Sequence, residues 1–239
     1  MKVKERTIGE IVAEDYRTAG VFKQFGLDFC CGGGRTVEEA CKKKDVNYDE
    51  LMSELSLLNK RSRAESHNYK DWSPDFLADY IVNNHHEFSR RKLPEIAEYA
   101  KKVAKVHGPG NESLKEIYHE FTKMYAEIMN HLDKEEEILF PYIKQLVEAK
   151  EKEEAPPKPE FGKAANPIAM MEQEHDDAGE AMEKIRKLSN DFTPPEDACT
   201  TYRVLFENLA DFEKDLHKHI HLENNILFPK ALELEKELN

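Results

Sequence analysis

Apolar positions recur along this chain at helical spacing, in long blocks separated by polar or proline-rich stretches, and no segment shows the period-two alternation of a strand. Ser73-Pro74 sets a capping serine before a proline at the first helical position. A helix is predicted from there to about His107, where Gly108-Pro109-Gly110 stops it. A second is predicted from about Glu112 to Lys150. Asn166-Pro167 repeats the cap-then-proline signal and starts a third, ending near Asn190. Thr193 with Glu196 fits a capping box and starts a fourth, running to the C-terminus. Four long helices with short or proline-rich connections predict an all-α fold, an antiparallel four-helix bundle.

The first 60 residues hold shorter helical pieces: Thr7 to Glu14, Thr18 to Phe25, Thr36 to Lys43 and Asp49 to Asn59. The polar stretch from Lys60 to Asp71, just before the only tryptophan, Trp72, reads as a boundary. The expected organisation is a small helical domain over 1–60, a linker over 61–72 and the bundle over 73–239. So small a unit has a thin core and is expected to lean on the bundle or a partner. On a linker it could also pair across a homodimer. Within the bundle, Ala155-Pro156-Pro157-Lys158-Pro159 can be neither helix nor central strand.

The main body is internally duplicated. His131-Leu132-Asp133-Lys134-Glu135, then Ile138-Leu139-Phe140-Pro141, recurs as His219-Ile220-His221-Leu222-Glu223, then Ile226-Leu227-Phe228-Pro229. A His and a Glu four apart lie one above the other on a helix. His86 precedes His131 by 45 residues and His175 precedes His219 by 44. Each half is therefore a helix with one His followed by a helix with His-x3-Glu. Folded about a pseudo-twofold axis, the halves bring four His and two Glu into the bundle interior, as in the carboxylate-plus-histidine metal sites of bundle cores. His85 competes with His86 for the inward position, and His217 and His221 flank His219, but repeat position favours His86 and His219. His67, His107 and His119 read as surface or satisfied histidines.

Mixed imidazole and carboxylate ligands suit iron, zinc or manganese, and no thiolate is involved. Two shared Glu would hold two ions close. Iron is the expected metal, with zinc as the alternative.

Composition narrows the setting. The chain has 239 residues, 39% hydrophobic and 35% charged, with a formal net charge of −13. No basic patch stands out beyond Lys42-Lys43-Lys44, so nucleic acid is not an expected partner. No run approaches the ~18 apolar residues of a membrane span. The start, Met1-Lys2-Val3-Lys4-Glu5-Arg6, lacks the apolar core of a signal peptide, and the expected location is the cytoplasm. Cys30, Cys31, Cys41 and Cys199 do not form a disulfide framework and suit a reducing compartment.

At these residues the chain resembles a known family. The pattern of His86 with Arg90 and Leu93-Pro94-Glu95, His131-x3-Glu135, Glu174-His175-Asp176 and His219-x3-Glu223 resembles a hemerythrin-like domain. Gly26-Leu27-Asp28-Phe29-Cys30-Cys31-Gly32-Gly33-Gly34 resembles the short Cys-Cys-Gly-Gly domain of the RIC proteins, the repair-of-iron-centres family. The resemblance covers nearly the whole chain. It implies a di-iron centre with His86, His131, Glu135, His175, His219 and Glu223 as ligands and Glu135 and Glu223 bridging. Glu127 and Glu174 match acidic positions near the family's site. Oxygen-carrying hemerythrins, with five His, one Glu and one Asp and no cysteine domain, are less similar.

The function implied is repair of iron–sulfur clusters damaged by nitric oxide or peroxide, through donated iron, with damaged iron–sulfur proteins as clients. Reduction of nitric oxide or peroxide at the same centre, and a carrier or sensor of dioxygen or nitric oxide, are the alternatives. Cys30-Cys31 sits in a glycine-rich turn that leaves thiols accessible. One thiol is expected to contact a damaged cluster, exchange with another thiol or accept iron. Cys41 and Cys199 read as packed apolar side chains.

Overall fold

Three of the four long helices pass through one widened turn. In the computed structural model, which describes residues 3–59 and 68–239, α1 (Ile8–Glu14), α2 (Thr18–Gln24), α3 (Val37–Lys44) and α4 (Tyr48–Asn59) come first. Then α5 (Pro74–Ile81) runs through a π turn at Val82–His86 into α6 (Glu87–His107). Next, α7 (Ser113–Lys134) runs through Glu135–Leu139 into α8 (Phe140–Lys152). After α9 (Ala165–Leu188), α10 (Thr200–Leu222) runs through Glu223–Leu227 into α11 (Phe228–Leu238). The only strand-like pairing among the described residues is the bridge between Thr7 and Thr36.

The widened turns have local causes. Pro141 and Pro229 have no N–H, and a proline ring crowds the carbonyl four residues back. The turn just ahead of each opens: Phe140 N–H bonds Glu135 O and Phe228 N–H bonds Glu223 O, both five residues back. In the first helix the next proline, Pro94, lies eight residues past the turn. There the side-chain amides of Asn83 and Asn84 donate to the carbonyls of Asp79 and Tyr80, each at 2.8 Å. An amide inserted into the ladder loosens it at that point.

The long helices close a bundle in which α6 packs on α7 and α10, and α7 on α9. Two apolar layers fill it. One holds Phe121 and Phe212, with ring centroids 6.4 Å apart. The other holds Phe140 and Phe228. The N-terminal helices add Ile8, Phe22, Val37 and Leu51 to the first layer, so they share its core. The buried polar residues of the duplicated motif lie between the layers.

Two predicted helix starts are corrected. The fourth helix begins at Thr200, not near Thr193. Asn190, Asp191 and Phe192 all have left-handed backbone (φ 51°, 55° and 54°), and Pro194-Pro195 follows. The backbone cannot enter a helix there, whatever side-chain pairing Thr193 and Glu196 offer. The third begins one residue before Asn166, whose amide instead donates to Phe161 O (2.8 Å). Ser73 does precede α5 with Pro74 at the first position, though its side chain makes no capping bond. The Thr36–Glu39 capping box is formed in full. Most of the expected linker, and His67, fall outside the described residues.

Candidate metal centre

All six predicted ligands are buried and converge. His86, Glu135, His219 and Glu223 form one group of donor atoms within 4.8 Å of one another, and His131, Glu135, His175 and Glu223 form a second. Glu135 and Glu223 belong to both. The ring nitrogens meet in pairs: His86 Nε2 lies 3.1 Å from His219 Nε2, and His131 Nε2 lies 3.0 Å from His175 Nε2. Glu135 Oε2 sits 3.4 Å from His86 Nε2 and 3.3 Å from His131 Nε2, between the pairs. Glu223 Oε1 lies 2.8 Å from His219 Nε2, and its Oε2 lies 3.2 Å from His175 Nε2. The widened turns carry both carboxylates and end at His86, a common use of the π turn.

Three of the four outer ring nitrogens are held from behind, while His219 Nδ1 is buried with no hydrogen-bond partner among the described residues. Glu136 accepts from His86 Nδ1 (2.9 Å), Glu174 from His131 Nδ1 (2.9 Å), and Asn224 Oδ1 from His175 Nδ1 (2.8 Å). A proton fixed on Nδ1 leaves the Nε2 lone pair free to bind a metal. Burial pushes His86 down, but contacts with Glu135, Glu136 and Glu223 carry it up to about 11. His131 is likewise lowered by burial and raised by Glu135 and Glu174, to about 10. Glu136 is held down at about 2 by its bond to His86, and Glu174 at about 2 by its bond to His131.

These residues fit a pair of cations. Both oxygens of Glu135 and one of Glu223 are buried with no hydrogen-bond partner among the described residues, an arrangement that is costly unless positive charge compensates it. Two imidazole nitrogens about 2.1 Å from one ion at right angles lie about 3 Å apart, the separation seen within each pair. An all-nitrogen-and-oxygen donor set with two shared carboxylates suits iron.

Other predicted residues lie further out. Glu127 stays exposed beside Lys123 (3.7 Å) and does not reach the donor groups. It stands at the mouth of a cavity of about 230 Å³ that ends on His131, His175 and His219. His85 turns away, its Nδ1 bonded to Asp215 (3.0 Å). His217 and His221 pack against Phe29, and His119 is exposed. Cys41 is buried as expected, but Cys199 is exposed, its Sγ 3.3 Å from His107 Nε2, because it precedes the late start of α10. Sequence reasoning missed Glu136, Asn224 and Lys134. The signal for the first two was the repeat, since each directly follows a shared carboxylate.

The cysteine pair lies on the bundle. Cys30 is buried and Cys31 half-buried, with sulfurs 3.9 Å apart. Asp28 accepts from Cys30 N (2.9 Å), Cys30 Sγ (3.2 Å) and Gly32 N (2.7 Å). The contact with Cys31, burial and the charge of Asp28 push the Cys30 thiol well up. Asn225, two residues past Glu223, donates to Cys30 O (3.0 Å), tying the cysteine turn to the widened turn that carries a shared carboxylate.

The match to known proteins follows this division of the chain. Residues 77–231 match the hemerythrin HHE cation-binding domain, and residues 4–59 match ScdA_N, a domain of unknown function. The iron–sulfur cluster repair protein YtfE of Pectobacterium atrosepticum is 40% identical over 235 residues, covering 97% of this chain and 99% of the relative. The chain belongs to the repair-of-iron-centres family. A probable iron–sulfur cluster repair protein of Haemophilus influenzae is 37% identical, and YtfE of Escherichia coli O81 is 36% identical, each across 97% of this chain and 99% of the relative. The cofactor of such a hemerythrin-like repair protein is a di-iron centre, which the donor set above accommodates. Among the described residues no helix is long and apolar enough to cross a membrane.

Proposed function

We propose that this member of the repair-of-iron-centres family restores iron–sulfur clusters damaged by nitric oxide or peroxide, giving up iron from its own di-iron centre. The observation that carries this reading is the sharing of two buried carboxylates between two histidine pairs. His86 and His219 would hold one ion, His131 and His175 the other, and Glu135 and Glu223 both. When bound, the ions supply transferable iron and one-electron chemistry. The chain's own residues hold the donors apart, with Glu136, Glu174 and Asn224 orienting the rings.

Cys31, half-buried beside the protonated and buried Cys30, is the thiol that meets the client. The clients are iron–sulfur proteins, and the setting is the cytoplasm, whose reducing conditions keep the thiols free. Residues 1–60 and 73–239 act as two units joined by 61–72, a division supported by the separate family matches over 4–59 and 77–231.

The test is reactivation of a nitrosylated iron–sulfur dehydratase by iron-loaded protein. Activity should return with two irons per chain at the start and fewer at the end. Replacing Cys30 and Cys31 by Ser should abolish reactivation and leave the iron content intact. Purified protein with well under one metal per chain, or reactivation indifferent to its iron, would sink the reading. The cavity ending on His131 and His175 favours a second activity, reduction of nitric oxide at the same centre. Steady consumption of nitric oxide with a supplied reductant, in the absence of any client, would establish it.

A further inference from the structure

Aromatic side chains follow one another along the first long helix at a spacing that leads to the centre. Trp72, Phe76 and Tyr80 are four apart, which sets them on one side of the chain as it enters α5. His85 comes five after Tyr80, and the π turn at Val82–His86 supplies the extra residue that keeps it in line. The rings touch in order. Trp72 lies 5.0 Å from Tyr80, and Tyr80 lies 5.8 Å from His85, centroid to centroid and edge to face. His85 lies 5.8 Å from His219, with the two ring planes 5° apart.

This column joins the surface to one ligand of the centre. Phe76 is exposed, Trp72 and Tyr80 are half-buried, and His85 and His219 are buried. The other rings stacked on ligands are core phenyl groups, Phe140 on His86 (5.6 Å) and Phe228 on His175 (6.1 Å). Phenyl gives up an electron far less readily than indole or phenol. His85 supplies none of the donor atoms, and its Nε2 is buried with no hydrogen-bond partner among the described residues. A buried imidazole left half-satisfied is costly, and binding metal does not account for it. Lys218 Nζ stands 5.4 Å from the Tyr69 ring and 5.9 Å from Tyr80. That cation holds electrons on both rings, so a vacancy passing through is not trapped on a tyrosine. The donors of the centre are themselves buried, so a carrier of protein size cannot touch them.

We propose that Trp72, Tyr80, His85 and His219 form an electron relay, and that Trp72 is the port at which a reduced flavin delivers electrons to the centre. Electron exchange falls steeply with the gap between rings, and a column of contacts replaces one long gap by short ones. At the port the flavin hydroquinone gives up one electron, releases one proton to solvent and is left as its one-electron-oxidised radical. The electron passes along the rings and turns one ferric ion ferrous. No bond forms or breaks in the protein, and His85 keeps its protons throughout. The relay thereby restores ferrous iron after peroxide has oxidised the centre. This rests on the di-iron reading above and says how such a centre is kept reduced.

Trp72 is the only tryptophan in the chain, so its radical can be followed alone. Azide radicals made by pulse radiolysis oxidise it in full-length protein, and its visible absorption is recorded in ferrous-loaded and zinc-loaded samples. Zinc fills the same donors and has no electron to give. The Trp72 radical should decay about ten-fold faster with ferrous iron, at a rate independent of protein concentration. Tyr80→Leu and His85→Leu should each bring that decay back toward the zinc value. Phe76→Leu, on the outer side of Trp72 (4.9 Å), should not. Trp72→Ala should slow reduction of the ferric centre by reduced flavin mononucleotide about ten-fold, with iron content unchanged. Equal decay in ferrous and zinc protein overturns the proposal, as does a decay indifferent to Tyr80→Leu and His85→Leu or a flavin reduction indifferent to Trp72→Ala. The comparison of iron with zinc uses the unaltered chain, so the test stands even if a variant folds poorly. Protein that loads no iron defeats the di-iron reading itself, whereas loaded protein with an isolated Trp72 radical defeats only the relay.

Discussion

Glu136 and Asn224 occupy the same place in the two halves of the chain, one residue beyond each shared carboxylate, and each accepts from the lone histidine of its own half, His86 or His175. Outer partners of this kind fix the ring and its tautomer. Glu136→Ala and Asn224→Ala should each weaken iron binding about 10- to 100-fold, read by competition with a chelator. Glu136→Gln, which still accepts through its amide oxygen, should lose less. Equal losses for Ala and Gln would show that charge, and not orientation, is what Glu136 contributes.

Asn225 sits in a cradle that admits no extra atom. A Cβ on Gly33 would come within 2.5 Å of Asn225 Oδ1, and one on Gly9 would also clash with it. Gly33→Ala should destabilise the protein by about 1–3 kcal/mol, measured by denaturant unfolding. Adding Asn225→Ala should recover much of that loss. If the double variant is no more stable than Gly33→Ala alone, the contact does not carry the cost.

Glu174 gives a pH dependence of known sign. Its folded value near 2 lies below the ordinary value of about 4.3. Its stabilising contribution is therefore complete above about pH 4.3 and is lost as pH falls toward 2. In chain stripped of metal, thermal midpoints should drop between pH 4.5 and 2, and less so in Glu174→Gln. Parallel curves for the two proteins would contradict this.

Phe121 is fully buried in the apolar layer beside Phe212. Phe121→Ala should cost about 3–5 kcal/mol while iron content stays at two per chain, since Phe121 supplies none of the donor atoms. Loss of iron in folded variant protein would show that the layer also shapes the centre.

The candidate ligands were legible because the motif is written twice at matched spacing: a carboxylate buried once could be chance, and the second copy made His131, Glu135, His219 and Glu223 a constellation. Their outer partners were harder to find, because Glu136 and Asn224 share a position but not a residue type. Glu174 was singled out beside His175, and it lies bonded to His131 of the other half. Glu127, also singled out, lies on the approach to the centre, because one turn before His131 the helix has already left the donor layer. The start of the fourth helix was misplaced because Thr193 and Glu196 satisfy a local rule that the left-handed run at Asn190–Phe192 overrides. The seating of the cysteine turn on Asn225 depends on contacts across 195 residues, which no local pattern announces.

The widened turns impose a counting rule on the chain. Each holds one residue more than an ordinary helical turn, and residues on a helix are set about 100° apart. Deleting Asn224 would close the widened turn to an ordinary one and remove the acceptor behind His175, whereas deleting a residue from an ordinary turn of the same helix, which has none to spare, would rotate everything on one side of the cut by that angle. Glu223 would then face the wrong way while every hydrophobic residue stayed hydrophobic. In these helices, length tolerates change less than composition does, so drift in this protein is expected as substitutions within the turns and as insertions only in the loops between bundles of helix.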